Sequence, residues 1–201
     1  FGDSGGNDGA TQFADTWTWG VRGLFRTLTN AIDDMHITNN GYCDTDFFAM
    51  GNPGRPLTVF GDTDCDEVND TWITIDTANG GWRRYEGEDD EITLGYSGWH
   101  KPRREYKALE FQLDRAWDEK WLFNASYTLA YSEGNAEGPV NSDTDFADSG
   151  RTEAFDTPWV AYYGTGYLPN DRRHQIKLRG VYAITENWHV GSTLNARAGR
   201  P

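Results

Sequence analysis

The chain has 201 residues, enough for a domain with its own core, and its 32 acidic and 18 basic residues give a formal charge of −14. Because phosphate groups attract basic surfaces, this balance argues against nucleic acid as a partner. The mean hydropathy is −0.76, and no run reaches the roughly 18 apolar residues that a membrane-spanning helix needs. With 9 Trp, 10 Tyr, 10 Phe and 23 Gly, the composition favours strands.

Five segments alternate apolar and polar side chains with the two-residue period of a β-strand. They lie near residues 17–28, 104–117, 121–133, 173–185 and 188–198. One side of each segment is oily and aromatic, as at Leu109, Phe111 and Tyr127, and the other is polar or small. Strands of this kind fit a globular antiparallel sheet or a transmembrane β-barrel. A short hairpin formed by 72–76 and 91–96 is also expected.

The connections between these segments alternate in length. Those at 118–120 and 186–187 are short turns, whereas 29–103 and 134–172 are long. Unstructured connections of that size are uncommon in compact soluble domains, but outer-membrane barrels join short periplasmic turns to long outer loops. The long connections carry 15 acids against 5 bases and 7 acids against 2 bases, so they hold the whole net charge. We interpret them as extracellular loops. A solvated loop surface is the favoured explanation of their charge, and a ligand site is the alternative.

Aromatic side chains occur at the strand ends. Four tryptophans fall where a strand meets a short turn, each on the apolar side of its strand, and one tyrosine lies near the opposite end. Because amphipathic rings are most stable at the headgroup level of a bilayer, this placement predicts aromatic belts at both rims of an apolar band. The predicted girdle residues are Trp17, Trp117, Trp121, Tyr131, Tyr182 and Trp188.

Charged and amide side chains occupy the polar side of the same strands. In a barrel these residues face the lumen, where they bind water or a plug domain. The predicted lumen-facing residues are Glu110, Gln112, Asp114, Lys177, Arg179, Asn195 and Arg197. The alternative is that they satisfy one another on the wet face of an ordinary sheet.

The two cysteines, Cys43 and Cys65, both lie in the first long connection, without the spacing of a zinc site. We favour a disulfide, which would close a loop of about 23 residues and indicate an oxidising compartment. Two unpaired thiols in a cytosolic protein are the alternative.

One acidic segment is a candidate Ca²⁺ site. Asp62, Asp64 and Asp66 provide a high density of oxygen ligands, but Glu67 stands where the EF-hand loop needs Gly. A solvated acidic turn is therefore the favoured interpretation, and a specific Ca²⁺ site is the alternative. No nucleophile motif, phosphate-binding loop or dinucleotide fingerprint occurs, so we expect no catalysis. We also expect no cofactor and no bound metal, with Ca²⁺ at this turn as the alternative.

Seven short stretches occur in an order and spacing that resemble the C-terminal part of the barrel of TonB-dependent outer-membrane receptors, especially the Oar-like branch. They are NAIDDM from Asn30, NPG from Asn52, REYKALEFQLDRAW from Arg104, SYTLAYSEGNAEG from Ser126, FDTPW from Phe155, GYLPNDRRHQIKLRGVY from Gly166 and ARAGRP from Ala196. The resemblance covers the chain from about Trp17 to Pro201.

The resemblance implies an antiparallel up-and-down barrel section in the outer membrane of a Gram-negative cell. It implies transport of an extracellular substrate through a plugged barrel, with energy supplied by the TonB protein. Five strands cannot close such a barrel, so the chain is expected to be a section of a longer protein whose plug and TonB-contacting segments lie elsewhere. The expected partners are outer-membrane lipid, the plug domain, TonB and an unknown substrate. A secreted all-β module that binds carbohydrate or Ca²⁺ through acidic loops is the alternative.

Overall fold

The computed structural model describes residues 11–14, 16–81, 98–138, 140, 142, 145, 147–148 and 153–201. These residues form strands and one short helix, and the chain divides into two compact units. In chain order the elements are β1 (Thr11–Ala14), β2 (Trp17–Leu28), β3 (Asp33–Asn39), β4 (Asp44–Gly51), β5 (Pro56–Gly61), β6 (Thr71–Asp76), β7 (Arg104–Arg115), β8 (Trp121–Gly134), α1 (Pro158–Tyr163), β9 (Gly166–Tyr167), β10 (His174–Thr185) and β11 (Trp188–Arg197). Within the described part of the chain, no helix is long and apolar enough to cross a membrane.

The largest sheet follows the strand order β1-β2-β7-β8-β10-β11, and β9 pairs with β8. β10 pairs antiparallel with both β8 and β11, which confirms the prediction of an all-β, antiparallel chain. β2, β7, β8, β10 and β11 occupy the segments with regular alternation, and β7 ends at Arg115 rather than at residue 117. The sheet is open in the described residues, because no pairing joins β1 to β11.

The strand register keeps like side chains on one face of the sheet. Leu178 of β10 lies opposite Ala125 of β8 and Leu194 of β11. One residue earlier, Lys177 lies opposite Ser126 and Asn195. Because neighbouring residues of a strand point to opposite faces, this register gives the sheet one apolar and one polar face.

The turn between β7 and β8 is built around Asp118. One oxygen of its carboxylate accepts the backbone N–H groups of Lys120 and Trp121, at 3.1 and 3.0 Å. The other oxygen is bound by the guanidinium of Arg115, which also donates to the Trp121 carbonyl oxygen at 2.7 Å. An aspartate at this position holds the chain in a tight turn, and Glu119 adopts the positive φ of 70° that the turn requires.

Unit 2 consists of Thr27–Arg104 and Glu133–Pro169, and its described residues form a small fold with its own core. The long connection predicted at 29–103 contains two hairpins, since β3 pairs with β4 and β5 pairs with β6. The expected hairpin of 72–76 and 91–96 stays a prediction, because 91–96 lie outside the described residues. Residues 72–76 do form a strand, since they lie in β6, which pairs with β5 from Pro56 to Gly61. Each of these strands is too short to show a long alternating pattern.

Both hairpins turn apolar side chains inwards. The buried core residues are Met35, Ile37, Ala49, Ile73, Ile75, Trp99, Ala136, Phe155 and Ala161. The indole N–H of Trp99 donates to the Phe155 carbonyl oxygen at 2.6 Å, which satisfies a polar group that is almost fully buried. Gly81 lies beneath the Trp99 ring with φ +97°, where a Cβ atom would approach that ring to 3.1 Å. Segments far apart in the sequence therefore meet in one core.

The predicted disulfide between Cys43 and Cys65 is confirmed. It joins the connection between β3 and β4 to the connection between β5 and β6. Asn40 links the same two connections, because its side chain accepts the Cys43 N–H at 2.7 Å and donates to the Asp62 carbonyl oxygen at 2.8 Å. The two hairpin ends are thus fixed to each other by one covalent bond and one buried amide.

Candidate functional site

The polar face of the sheet contains a depression of about 350 Å³ between β7, β8, β10 and β11. Five of the seven predicted lumen-facing residues line it, namely Gln112, Asp114, Lys177, Arg179 and Asn195. Asn124, Ser126 and Thr193 complete its polar lining. The side chain of Asn124 donates to Asp114 at 2.7 Å, which fixes the orientation of that carboxylate. The depression therefore offers carboxylate, amide, hydroxyl, ammonium and guanidinium groups from four strands.

The other two predicted lumen-facing residues lie elsewhere on the sheet. Glu110 accepts hydrogen bonds from the guanidinium of Arg22 on β2, at 3.1 Å from Nε and 2.5 Å from the terminal nitrogen. Arg197 lies opposite Gln175 near the end of β11. The Arg22–Glu110 pair ties β2 to β7, so one charged residue of the predicted set has a structural partner within the sheet.

Sequence reasoning left Arg22, Asn124, Ser126 and Thr193 out of this set, although all lie on the polar side of their strands. Strand register supplies the missing signal, because Ser126 lies opposite Lys177 and Thr193 lies opposite Arg179. Pairing partners cannot be read from the periodicity of one strand alone.

The opposite face of the sheet leaves large apolar side chains exposed in the described chain. Phe25 is 65% exposed and Leu194 is 54% exposed. Further exposed apolar residues on these strands are Trp19, Val21, Leu109, Phe111, Ile176, Ile184 and Val190. The rings of Phe111 and Tyr127 stack at 6.1 Å, so the apolar surface continues from β7 to β8. Surfaces of this kind mark a contact with a partner or with lipid.

Three of the predicted girdle residues lie together at the end of the sheet that carries the short turns. The rings of Trp17 and Trp121 meet edge to face at 5.7 Å, and Tyr182 lies opposite Trp121 in the register. The Arg115 guanidinium lies 3.9 Å from the Trp121 ring and 5.9 Å from the Trp17 ring. This arrangement places a cation against two aromatic faces while its N–H groups bind the Asp118 turn.

The remaining girdle residues occupy separate positions. Trp188 begins β11 and is 73% exposed, and Tyr131 lies near the far end of β8, where the Arg173 guanidinium stacks at 3.9 Å. Trp117 lies beyond the end of β7, so the strand alternation does not fix its direction. Its ring contacts His189 at 5.8 Å instead of joining the Trp17–Trp121 pair.

The candidate Ca²⁺ residues lie close together in the connection between β5 and β6. One carboxylate oxygen from each of Asp62, Asp64 and Asp66 lies within 4.8 Å of the others. Partial desolvation raises the pKa of Asp62, but the N–H groups of Cys65, Glu67 and Asp64 outweigh it and lower the pKa overall. The charge of Asp66, together with that of Asp62, raises the pKa of Asp64. The Asp62 carboxylate thus organises the turn, and its neighbours repel one another.

A second group of acids lies at the edge of the unit 2 core. Burial and the charges of Asp34 and Glu153 raise the pKa of Asp156, which His36 partly offsets. The backbone carbonyl oxygen of Asp156 accepts the His36 N–H at 2.9 Å, so this segment is tied to β3. The pKa of Asp118, in the β7–β8 turn, is lowered instead of raised. Its carboxylate accepts a hydrogen bond from Arg115 and further hydrogen bonds from the N–H groups of the turn, and these stabilise the charged form.

Comparison with known proteins gives a partial match. Over 106 residues, or 52% of this chain, the sequence is 31% identical to the TonB-dependent transporter Oar of Myxococcus xanthus. The chain spans about a tenth of the length of this curated relative, since the match covers 10% of it. No family model matches the chain, and no solved structure matches it. The comparison supports a distant, partial relationship to TonB-dependent transporters.

Proposed function

We propose that the chain forms a section of the wall and outer vestibule of an energy-coupled outer-membrane transporter. The observation that carries this proposal is the sheet with two opposed faces, one apolar and exposed and the other polar with a charged depression. In such a protein the apolar face contacts lipid and the polar face contacts the lumen. The transporter recognises an extracellular substrate and passes it through a plugged barrel.

The dimensions of the strands support this assignment. β2, β7, β8, β10 and β11 are 10 to 14 residues long, and a tilted strand needs about 9 to 11 residues to cross the apolar core of a bilayer. Unit 1 carries 10 acids and 11 bases, whereas unit 2 carries 22 acids and 7 bases. The charge is therefore concentrated in the long connections, which a transporter exposes to water.

The disulfide supports a location outside the cytosol, because disulfides persist in oxidising compartments. We place the two long connections on the extracellular side of the outer membrane of a Gram-negative cell, and the turns at 118–120 and 186–187 on the periplasmic side. The partners proposed for this section are lipid on the apolar face and the plug domain on the polar face, with TonB acting through the plug. We assign it no catalytic step.

A pair of neighbouring substitutions tests the proposal. Leu194 lies on the apolar face of β11 and Thr193 on the polar face, so both are changed to Lys in the protein expressed in its outer membrane. A lysine facing the bilayer midplane costs about 2 to 4 kcal/mol, whereas one facing water costs little. We expect Leu194→Lys to reduce membrane assembly, measured as heat-modifiable protein in the outer-membrane fraction, and Thr193→Lys to leave it unchanged.

Equal assembly of the two variants would contradict the assignment of the apolar face to lipid. Recovery of the unmodified protein as a monomer without detergent would favour the secreted binding module instead.

A further inference from the structure

The hairpin of β5 and β6 has a face that the unit 2 core does not use. Its inner side chains, Ile73 and Ile75 with Leu57 and Val59, pack in or against the core. Its outer side chains are Thr58, Phe60, Trp72 and Thr74, which we call the hairpin face. All four are exposed, and the register places Thr58 opposite Thr74 and Phe60 opposite Trp72.

Two aromatic rings dominate the hairpin face. Trp72 is 72% exposed and Phe60 is 49% exposed, and their rings meet at 5.5 Å with an angle of 63° between the planes. The hydroxyl groups of Thr58 and Thr74 lie 3.0 Å apart in the next pair along the hairpin. Large rings held rigidly by a sheet, with water on one side, are typical anchors of a binding surface.

The charge beside these rings has one sign. The segment from Pro56 to Asp76 contains six acids and no Lys, Arg or His. Five of the acids are in the connection that begins after Gly61, the residue next to Phe60: Asp62, Asp64, Asp66, Glu67 and Asp70. The aromatic pair therefore adjoins a concentrated negative charge, and this complementarity selects a cationic ligand.

The layout also indicates the shape of the ligand. Residues two apart on a strand are separated by about 7 Å, so the path from Thr58 past Phe60 to the end of β5 at Gly61 is about 10 Å long. An extended peptide covers this distance with about three residues. Hydroxyl groups and aromatic rings follow one another along this line, and the acidic connection begins where the line ends, which matches an elongated ligand better than a single ammonium group.

We propose that the hairpin face binds an extended peptide segment rich in Lys or Arg. A basic side chain lies over the Phe60 and Trp72 rings, and its neighbours reach the carboxylates of the adjoining connection. This inference deepens the proposed function, because it names the class of substrate or protein partner that unit 2 binds. It rests on the proposed function for the location of unit 2 outside the cell. The contacts themselves belong to unit 2 alone.

The test is calorimetric titration of the purified full chain, with its disulfide intact, against three probes. These are a hexapeptide that alternates Lys and Ser, the matched peptide with Glu in place of Lys, and spermidine, a cation without a peptide backbone. We expect the lysine peptide to bind, the glutamate peptide not to bind, and spermidine to bind at least about tenfold more weakly. Raising salt from about 0.01 M to about 0.15 M, which shortens the screening length from about 30 to about 8 Å, should weaken the peptide.

Variants locate the binding surface. Trp72→Ala should weaken the lysine peptide about tenfold, within the range of an exposed to desolvated cation–π contact. Phe48→Ala is the matched control, because Phe48 is a 59% exposed ring on the other hairpin of the same unit, and should leave binding unchanged. Replacing Asp64 and Asp66 with Asn should weaken binding and flatten its salt dependence, whereas Asp148→Asn should not.

Equal affinity for the two peptides, or unchanged binding by Trp72→Ala, would overturn the proposal. Spermidine binding as tightly as the peptide would overturn the assignment to a polypeptide. Because Trp72 is exposed, the Trp72→Ala variant should fold normally. If it does not fold, the Asn variants of Asp64 and Asp66 test the same site independently. The titrations are made in neutral detergent micelles and do not depend on assembly in the outer membrane, so a failure of peptide binding is separate from a failure of outer-membrane assembly.

Discussion

Breaking the disulfide between Cys43 and Cys65 should destabilise unit 2 selectively. The bond spans 22 positions in the sequence and ties together two hairpin ends. Asn40 holds the same ends through its hydrogen bonds to the Cys43 N–H and the Asp62 carbonyl oxygen. The folded reduced protein therefore keeps its local geometry, and removing the bond acts mainly by freeing the unfolded chain.

The chain-entropy model gives the size of this effect. A closed loop of 22 positions lowers the entropy of the unfolded state enough to contribute about 3 kcal/mol to stability at room temperature. Since each 1.4 kcal/mol is a tenfold change in an equilibrium constant, the opening equilibrium of unit 2 should increase by about 150-fold.

Hydrogen exchange measures this change residue by residue. The protein is compared with the variant in which Cys43 and Cys65 are both replaced by Ser, and exchange is followed in the amides of β3 to β6. Their protection should fall by about two orders of magnitude, while the amides of β10 and β11 keep theirs. Unchanged protection in β3 to β6, or an equal loss in β10 and β11, would refute the reasoning.

Three further substitutions have defined outcomes. Trp99→Phe leaves the buried Phe155 carbonyl oxygen without its donor and should lower the free energy of unfolding by about 2 kcal/mol in urea; an unchanged value would contradict the role of that bond. The pKa of Asp156 is raised, so its ionised form destabilises the fold as pH rises, and Asp156→Asn should raise Tm near neutral pH but not well below the usual carboxyl pKa. The pKa of Asp118 is lowered by Arg115, so the ionised carboxylate stabilises the fold and this contribution is lost as pH falls. Asp118→Asn should therefore lower Tm near neutral pH but not at low pH. The reverse pH pattern for either Asp variant would contradict these signs.

The long strands could be predicted from sequence because each repeats its alternation over ten or more residues. A pattern of that length separates a two-faced strand from a helix and from a loop. The polar-face residues followed from the same alternation, and the depression forms because the register aligns residues such as Lys177, Ser126 and Asn195. The position of Trp117 did not follow, since β7 ends two residues before it.

Unit 2 could not be predicted in the same way. β6 buries only Ile73 and Ile75, which alternate with the exposed Trp72, Thr74 and Asp76 over just six residues. The core also needs Trp99 and Phe155, which lie in irregular segments far from both hairpins along the chain. Such non-local packing leaves no periodic signal in the sequence. Two features of unit 2 could be inferred from the sequence. One is the strand at 72–76, which lies within β6, and the other is the pairing of Cys43 with Cys65, because the cysteine count allowed a single intrachain disulfide.

The central claim is that one face of the sheet contacts lipid and the other contacts water. Single spin labels at Val190, Thr193, Leu194 and Asn195 of β11, in the membrane-assembled protein, measure this contact directly through collisions with oxygen and with a water-soluble nickel complex. We predict high oxygen accessibility at Val190 and Leu194 and high nickel accessibility at Thr193 and Asn195, with the two-residue period of the strand. Uniform access of the nickel complex to all four positions would contradict the account.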